Sequence, residues 1–425
     1  MLVSLPYGRS QLTGHVPEWA VTDTVVPKQW QTTSPENSVE TALKQPIGVP
    51  RLGELARDSH SAVIVTCDRT RGVPSRVTIP LIIKELRSGG LGSDRIRLLV
   101  ATGLHKGETM TDVRERLGEE VLDKLEVEIH DSDDQTRLVD LGKLSSGTPL
   151  LLNRSVTEND LVIVESNVEP HFFAGFTGGS KVILPGVAGT ETILRNHCWN
   201  NIDNPTSRYG MIENPIRADA NEALRHVSRA FALNVVLDDQ KRIVRATAGD
   251  PVSSFNDAAE SVRLHSSVQV KDPPDLVITT NGGYPLDRNV YQCVKGIAVP
   301  EGILHEHSRI IMAGECADGV GHQDFLRLLA SDAPEAVYDK LRQGEALIRD
   351  QWEVQVLCRI LHKTPVCFVT RPELASEIKS MHMGYAQTIE QALDSAHLRS
   401  GERVLVLPQG PMTLPTWIRS QHKSG

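Results

Sequence analysis

The segment from Glu169 to His197 constrains the fold of this chain more than any other stretch. It follows the apolar run Leu161–Val164, which is typical of a buried parallel strand. Its first part is rich in glycine and contains Lys181, and its last part, from Thr190, has the pattern of a helix. The segment therefore predicts a strand, a loop and a helix in succession, and open α/β sheets bind their ligands at such strand ends.

The glycines of this loop do not form a phosphate-binding P-loop. That motif requires Gly, four residues and then Gly-Lys-Ser/Thr. Counted from Gly175, the second glycine position holds Ser180, and Val182 occupies the position of the magnesium-binding hydroxyl. Gly178 and Gly179 instead allow the backbone to approach a bound group closely. The loop therefore predicts a ligand site of another kind, with Lys181 at its exit.

The rest of the chain repeats the alternation of strand, loop and helix. Two runs before the segment, Ala62–Cys67 and Ile96–Val100, have the pattern of buried strands, and each is followed by a helical pattern. After the paired prolines of residues 272–275 the alternation restarts with Leu276–Ile278. We therefore predict an α/β protein of two domains, each a mostly parallel sheet flanked by helices, with the active site in the cleft between them.

The same pattern sets the predicted domain boundaries. Residues 1–271 form an N-terminal domain that carries the strand-end loops, and residues 272–409 form a C-terminal α/β domain that contributes substrate-binding residues. The tail, residues 410–425, is expected to pack on the first domain. The proline-rich and polar start of the chain, up to about residue 50, predicts an extended arm or small sheet followed by a loop.

Composition argues against several classes of partner and location. The 425 residues carry a formal charge of -9 with acidic and basic residues intermixed, so nucleic acid is not expected as a partner. No apolar run reaches the roughly twenty residues of a membrane span, and the N-terminus lacks the pattern of a signal peptide. The six cysteines occur singly, without a Cys-x-x-Cys pair, as is typical of reduced thiols. We therefore expect a cytoplasmic protein.

Polar groups gather at the ends of three predicted strands of the first domain. They are, strand by strand, Asp68, Thr70 and Arg71, then His105 and Lys106, then His171 and Lys181. Each has an ordinary structural explanation, such as a hydrogen-bonded histidine or a solvated ion pair in a turn. However, the carboxyl ends of parallel strands meet at one edge of a sheet. Their placement at that edge predicts one shared crevice.

Two histidines and a lysine in one crevice favour particular kinds of chemistry. Histidine titrates near neutrality, so it can take or give a proton at working pH. His105 and His171 on opposite sides of one carbon would suit a reaction that runs from either face, as racemisation does. A buried Lys181 can act as a covalent anchor, and a neutral His197 can bind a metal ion.

The motifs around these residues resemble the nickel-dependent lactate racemase family. They run from Tyr7-Gly8 to the region of Trp352, so the resemblance covers nearly the whole chain. The motifs are Asp68-x-Thr70-Arg71-x-x-Pro74, Gly103-x-His105-Lys106-x-x-Thr109, His171-x-x-x-Gly175-x-x-Gly178-Gly179-x-Lys181, Pro185-Gly186, Glu191-Thr192-x-x-x-Asn196-His197 and Gly282-Gly283-x-Pro285-x-Asp287-x-Asn289-x-Tyr291-Gln292-x-x-Lys295-Gly296.

The resemblance implies a racemase or epimerase of a 2-hydroxy acid that works with a nickel-pincer cofactor. This cofactor is nickel held by pyridinium-3,5-bisthiocarboxylic acid mononucleotide, so cofactor-synthesis proteins are implied partners beside the small-molecule substrate. Lys181 would be tethered to the cofactor through a thioamide, His197 would ligate nickel, and His105 and His171 would be the general acid/base pair. The other implied contacts are Arg71 and Lys295 to the substrate carboxylate, Tyr291, Gln292 and Trp352 lining the pocket, and Asp68, Thr70, Gly178 and Gly179 binding the nucleotide.

Two other functions stay open on the residues alone. One is a metal-dependent hydrolase with His105, His171 and His197 as ligands, and the other is a non-catalytic nucleotide-binding protein. The three histidines are 66 and 26 residues apart, counted directly, whereas catalytic zinc usually has two ligands close in sequence. A binding module would not need two acid/base histidines. Metal analysis distinguishes the possibilities, because nickel with a tethered lysine favours the racemase and zinc alone favours the hydrolase.

Overall fold

A computed structural model of the chain describes residues 1–31, 34–105, 107–122, 125–344 and 348–417, so the predicted strand-end residue Lys106 lies outside the described residues. The chain divides into two compact units. The N-terminal unit comprises Gln29–Glu169 and Phe173–Leu264, and the C-terminal unit comprises Met1–Lys28, Pro170–Phe172 and His265–Gly425. Each unit contains a mostly parallel sheet with helices between its strands, which confirms the predicted α/β fold class.

A six-stranded sheet forms the centre of the N-terminal unit. Its strands lie in the order Ile243–Gly249, Ala230–Leu237, Leu161–Asn167, Ala62–Cys67, Ile96–Ala101 and Glu126–Ile129. All neighbours pair in parallel except the first two, which form an antiparallel hairpin. Every residue of Ala62–Cys67 is buried, because an interior strand of such a sheet has no solvent face and favours a continuous apolar run.

The helices of the N-terminal unit follow its strands along the chain. They are Pro35–Lys44, Leu52–Arg57, Ser75–Ser88, Met110–Leu117, Glu119–Leu122, Arg154–Glu158, Thr190–Asn196, Trp199–Asp203, Pro215–Ala223 and Pro251–Ser266, with 3-10 turns at Ser93–Arg95, Gln135–Arg137, Gly179–Val182 and Leu224–His226. Leu138–Lys143 and Pro149–Asn153 form a separate antiparallel pair, and Gly175–Phe176 is a short strand. The core lies around the sheet, where Ile64, Leu98 and Ile163 are fully buried.

The C-terminal unit contains a second six-stranded sheet, and all its neighbouring strands are parallel. The order is Gly384–Ala386, Val366–Val369, Arg309–Ala313, Leu276–Thr280, Arg403–Leu407 and Val21–Thr24. Three smaller strand elements accompany this sheet, namely the hairpin Leu2–Tyr7 and Ser10–His15, the parallel pair Ser267–Val270 and Leu414–Trp417, and the short strand Pro170–His171. The helices of the unit are Val290–Ala298, Gln323–Leu329, Pro334–Gln343, Gln351–Leu361, Ala375–Ser380 and Ile389–Ser395. Its 3-10 turns are Val299–Ile303, Pro372–Leu374 and Gly410–Met412. None of the helices described in either unit combines the length and the apolar composition that crossing a bilayer requires.

The bounds of the two compact units differ from the predicted domain boundary between residues 271 and 272. Residues 1–28 cluster with the C-terminal half of the chain, because Val21–Thr24 adds an edge strand beside Arg403–Leu407. The tail strand Leu414–Trp417 pairs with Ser267–Val270, within the same C-terminal unit. The backbone hydrogen bonds of these pairings join residues far apart in sequence, which local patterns do not reveal.

Candidate active site

The three predicted strand ends lie side by side in the N-terminal unit. Ala62–Cys67 is the middle strand and pairs in parallel with Leu161–Asn167 on one side and Ile96–Ala101 on the other. Their carboxyl ends therefore meet at the same edge of the sheet. The loop after Ile96–Ala101 also contacts the loop that holds Lys181, because Gly103 N donates to Gly186 O at 2.9 Å.

Asp68 links two of these strand ends through its buried carboxylate. Its Oδ2 lies 2.7 Å from His105 Nδ1, while its Oδ1 accepts from the backbone N and the hydroxyl of Thr70, at 3.0 and 2.6 Å. The half-buried Arg71 follows in the same turn and donates its backbone N to Asp68 O. Since the carboxylate holds Nδ1, the Nε2 of His105 is the ring nitrogen left for a substrate proton.

The environment of Asp68 favours its charged form. Burial would raise the pKa of this carboxyl, but the hydrogen bonds from His105 and Thr70 and the nearby positive charge of Arg71 lower it to about 2. Both carboxylate oxygens contact the protein's own side chains, so the structure gives Asp68 a direct role in orienting His105. The nucleotide contact that the resemblance implies for Asp68 and Thr70 remains a prediction.

The substitution Asp68→Asn should lower the free energy of unfolding at pH 7 by about 2.6 kcal/mol, because the pKa of Asp68 is lowered to about 2 and each unit of pKa shift corresponds to about 1.4 kcal/mol. The folded-state pKa is depressed, so this stabilisation is complete above the unfolded-state pKa of about 3.9 and is lost as pH falls towards about 2. Denaturant unfolding of both proteins at pH 7 and pH 3 should show the difference shrinking with pH. A difference that is equal at both pH values would contradict this account.

The glycine loop is fixed against the protein's own strand. Gly179 N donates to Ser166 Oγ at 3.0 Å, and Gly178 has a φ of +79°, in the region that favours glycine. A Cβ on Gly178 would lie 2.8 Å from Asn167 O, and one on Gly179 would lie 2.8 Å from the Phe255 ring. These glycines are therefore required by close packing inside the unit, and their contact with a nucleotide stays a prediction.

Arg217 holds the same loop through hydrogen bonds to two of its carbonyl oxygens, and the sequence did not predict this role. Its guanidinium is buried and donates to Phe176 O at 2.6 Å and to Gly178 O at 3.3 Å, and it lies 3.8 Å above the Phe255 ring. Burial lowers the pKa of Arg217 to about 9. One signal was available, because Arg217 is flanked on its helix by the apolar Ile216 and, at i+3, Ala220.

Lys181 and His197 both lie close to the ring of Phe173. Lys181 Nζ is 5.2 Å from the centroid of Phe173, and the His197 ring meets Phe173 edge-on at 5.1 Å. Both side chains are buried, with 8 % and 4 % of their surface exposed. Burial and the charge of Lys181 lower the pKa of His197 to about 3. His197 is therefore neutral at pH 7, which is the form of imidazole that ligates metals.

His171 belongs to the C-terminal unit, although it lies in the same sequence segment as Lys181. The short strand Pro170–His171 is part of that unit, and the buried imidazole stacks on Phe172 at a centroid distance of 5.0 Å. The prediction of one crevice is thus supported by direct contacts for His105 and Asp68. For His171 it remains a prediction.

The other predicted substrate residues lie in two helices of the C-terminal unit, with Lys295 in the last turn of the first helix. Lys295 Nζ donates to Gln292 Oε1 at 2.6 Å within helix Val290–Ala298, where Tyr291 is buried. Trp352 and Glu353 begin helix Gln351–Leu361. Burial raises the pKa of Glu353 well above its usual range, although the charge of Lys295 opposes the shift.

A self-contained metal site built from protein side chains does not occur in the described residues. No group of three or more His, Cys, Asp and Glu side chains there is arranged to hold a metal ion. A metal with His197 as its single protein ligand would need its other donors from a bound organic group.

Comparison with known proteins gives a consistent family assignment. Family models described as "Lactate racemase N-terminal domain" and "Lactate racemase C-terminal domain" match residues 7–210 and 269–413. The chain is 39 % identical to the lactate racemase of Thermoanaerobacterium thermosaccharolyticum over 417 residues, covering 96 % of this chain and 97 % of the relative. It is 38 % identical to that of Lactiplantibacillus plantarum, covering 96 % and 98 %.

Solved structures agree with this assignment. The structure of the lactate racemase apoprotein from Thermoanaerobacterium thermosaccharolyticum superposes with a TM-score of 0.93 at 37 % identity, covering 98 % of this chain and 100 % of that chain. A Thermotoga maritima protein that is 18 % identical superposes with a TM-score of 0.69 over 93 % of this chain, and at that identity it indicates the fold alone.

Proposed function

Because the chain belongs to the lactate racemase family and is thus an isomerase, we propose that it racemises or epimerises a 2-hydroxy acid, lactate or a larger relative. The observation that carries the proposal is the arrangement at one sheet edge of the N-terminal unit. There an oriented histidine, His105 on Asp68, follows strand Ile96–Ala101, while the loop after the neighbouring strand Leu161–Asn167 buries Lys181 close to His197.

We propose a nickel-pincer nucleotide as the cofactor, and the residues present fit such a group. Lys181 offers an amine for a thioamide tether. His197 offers one neutral nitrogen to a metal whose other donors are soft sulfur and carbon atoms, a set that suits Ni(II). When bound, this group would supply the hydride chemistry at C2 of the substrate, which no side chain of the protein can perform.

The protein's own residues bind the acid and move its proton. Nε2 of His105 would take or return the proton of the substrate hydroxyl, and the contact of Nδ1 with Asp68 supports this role. His171 would do the same for the mirror-image substrate. Arg71 and Lys295 would bind the carboxylate as cationic partners. Tyr291, Gln292 and Trp352 would line the pocket and exclude water.

The location and partners follow from the same proposal. The six cysteines, all among the described residues, are free thiols, which fits a reducing cytoplasm. The substrate is a small molecule, and the cofactor requires dedicated synthesis proteins in the producing cell. A host that lacks those proteins would yield the apoprotein.

The direct test is a screen of enantiomerically pure 2-hydroxy acids on cofactor-loaded protein, with loss of optical purity as the readout. Lactate is the first substrate to test, and sugar-derived 2-hydroxy acids are the next. Metal analysis and intact mass of the same sample should show nickel and an adduct on one lysine. Zinc without an adduct, combined with hydrolysis and no loss of optical purity, would replace the proposal with the hydrolase.

The substitution Arg71→Ala should lower kcat/KM for the 2-hydroxy acid by about tenfold to a hundredfold, because a charge-assisted hydrogen bond contributes roughly 1.5–3 kcal/mol. Arg71→Lys should restore only part of the loss, since lysine lacks the planar fork that binds a carboxylate through two hydrogen bonds. Steady-state kinetics measures both variants, and Arg69→Ala, in the same turn, is the matched control. An unchanged kcat/KM in Arg71→Ala would transfer the carboxylate contact to Lys295 alone.

A further inference from the structure

The three residues before Lys181 are each held by a hydrogen bond to a side chain from another element of the N-terminal unit. The bonds are those from Arg217 to Gly178 O at 3.3 Å, from Gly179 N to Ser166 Oγ at 3.0 Å, and from Ser180 Oγ to Asn221 Oδ1 at 2.7 Å. Their partners lie on strand Leu161–Asn167 and helix Pro215–Ala223. The backbone that leads into Lys181 is therefore fixed at three successive residues.

Arg217 joins the two arms of the glycine loop through one guanidinium. Its Nη2 donates to Phe176 O at 2.6 Å, and its Nη1 donates to Gly178 O. The arm that includes Phe176 also carries Phe173, whose ring centroid lies 5.2 Å from Lys181 Nζ. Burial lowers the pKa of Arg217 only to about 9, so the guanidinium stays charged at pH 7 and keeps all its donors. One buried cation therefore holds the ring that packs against Lys181 and the turn that carries Lys181.

A chain of buried hydrogen bonds orients the hydroxyl of Ser166 as an acceptor for Gly179. The chain runs from Ser166 Oγ to Asn234 Oδ1 at 2.8 Å, from Asn234 Nδ2 to Ser254 Oγ at 3.1 Å, and from Ser254 Oγ to Asp250 O at 2.7 Å. One end of this chain is a backbone N–H, which can only donate, and the other is a backbone carbonyl, which can only accept. Each hydrogen in between therefore points away from Gly179, and a lone pair of Ser166 faces the Gly179 N–H.

We propose that Arg217 and Ser166 are positioning residues for the covalent attachment of the cofactor, because they fix the turn from which Lys181 presents its amine. The inference rests on the proposed function, which makes Lys181 the anchor. Its nitrogen would bond to a thiocarboxyl carbon with loss of one water molecule, so the step needs neither an oxidant nor a reductant. Lysine has a flexible four-carbon stem. A fixed backbone therefore reduces the entropy that the amine must lose to reach the reacting carbon.

The rate at which the apoprotein acquires the cofactor adduct tests the positioning role. Purified apoprotein is mixed with extract of a cofactor-producing host that lacks this chain, and its intact mass is followed with time. Arg217→Met should slow adduct formation about tenfold to a hundredfold, the range of one charged hydrogen bond. Ser166→Ala should slow it about threefold to tenfold, the range of a neutral one. Arg217→Lys keeps a cationic donor and should restore part of the rate.

Ser155→Ala is the matched control for a general loss of stability. Ser155 is a buried serine of the same unit, and its hydroxyl donates to Glu128 Oε2 at 2.6 Å. This variant also loses one hydroxyl hydrogen bond, but it should acquire the adduct at the unaltered rate. Denaturant unfolding measures the stability of every variant. If Ser155→Ala and Ser166→Ala slow adduct formation equally, the role of Ser166 is merely structural and the inference is wrong. If the unaltered chain acquires no adduct, the proposed function fails, and the inference fails with it.

Hydrogen exchange of the apoprotein tests the fixed turn without any cofactor. The amide of Gly179 should exchange faster in Ser166→Ala and in Arg217→Met, because the hydrogen bond that protects it is lost in the first variant and loosened in the second. Exchange in strand Ala62–Cys67 is the internal reference for global opening, and Ser155→Ala should leave the ratio of the two rates unchanged. An unchanged ratio in Ser166→Ala and Arg217→Met would show that other contacts hold the turn. That result would contradict the inference and leave the proposed function intact.

Discussion

Replacement of Lys181 by alanine is expected to abolish covalent retention of the cofactor and, with it, racemisation. Only an amine can form the thioamide, and alanine leaves the buried place beside Phe173 without one. Intact-mass measurement of protein isolated from a cofactor-producing host should show the adduct in the unaltered chain and its absence in Lys181→Ala. Activity should fall to background in the same sample.

A matched control separates this effect from misfolding. Lys84 is an exposed lysine of the same unit that contacts Glu40, and Lys84→Ala should keep both adduct and activity, since such surface pairs contribute about 0–1 kcal/mol. Thermal unfolding of Lys181→Ala should show that it still folds. An adduct of unchanged mass on Lys181→Ala would show that another residue is the anchor, and the assignment of Lys181 would then fail.

Replacement of either proposed acid/base histidine should stop racemisation in both directions. His105→Ala and His171→Ala should each lower kcat by at least the roughly 10²–10⁴-fold typical of general acid/base catalysis. A proton taken from one enantiomer must be given back to the other, so one full turnover uses both residues. The double variant should be little slower than either single variant, because residues that act as a unit are not additive.

The half-reactions distinguish the two histidines. With one histidine left, one enantiomer should still be oxidised to the bound 2-keto acid, which can be trapped and identified. His105→Ala and His171→Ala should therefore retain this step for opposite enantiomers. Equal oxidation of both enantiomers by both variants would contradict the two-base mechanism. His307→Ala, which alters an exposed histidine of the C-terminal unit, should leave every step unchanged.

The environments of the two histidines also predict different responses to a conservative change. His105 is about half exposed and depends on Asp68 for its orientation, whereas His171 is buried against Phe172. Asp68→Asn should therefore slow the oxidation of the enantiomer served by His105 and leave the oxidation of the enantiomer served by His171 unchanged. This comparison can be made with the same trapping measurement on each enantiomer.

The sheet strands could be predicted because their signal is local. Ala62–Cys67 and Ile96–Ala101 are mainly apolar runs followed by polar and glycine-containing turns, and that composition is typical of a buried parallel strand. The third strand was predicted too short, because Glu165–Asn167 are polar yet buried. Glu165 can be buried there because hydroxyls of Thr66, Ser75 and Thr78 donate to its carboxylate, and none of those partners is visible from the local pattern.

The sequence by itself determined the fold class, the strand ends and the chemical types of the candidate residues, because hydrophobic periodicity and motif spacing are properties of short stretches. Only the tertiary structure decided which of those residues touch. In the folded chain Asp68 contacts His105, and Arg217 donates hydrogen bonds to the glycine loop. Asp350 hydrogen-bonds to both Tyr291 and His322, and residues 1–28 belong to the C-terminal unit. These contacts join residues distant in sequence, and their free energy depends on packing and burial that exist only once the chain has folded.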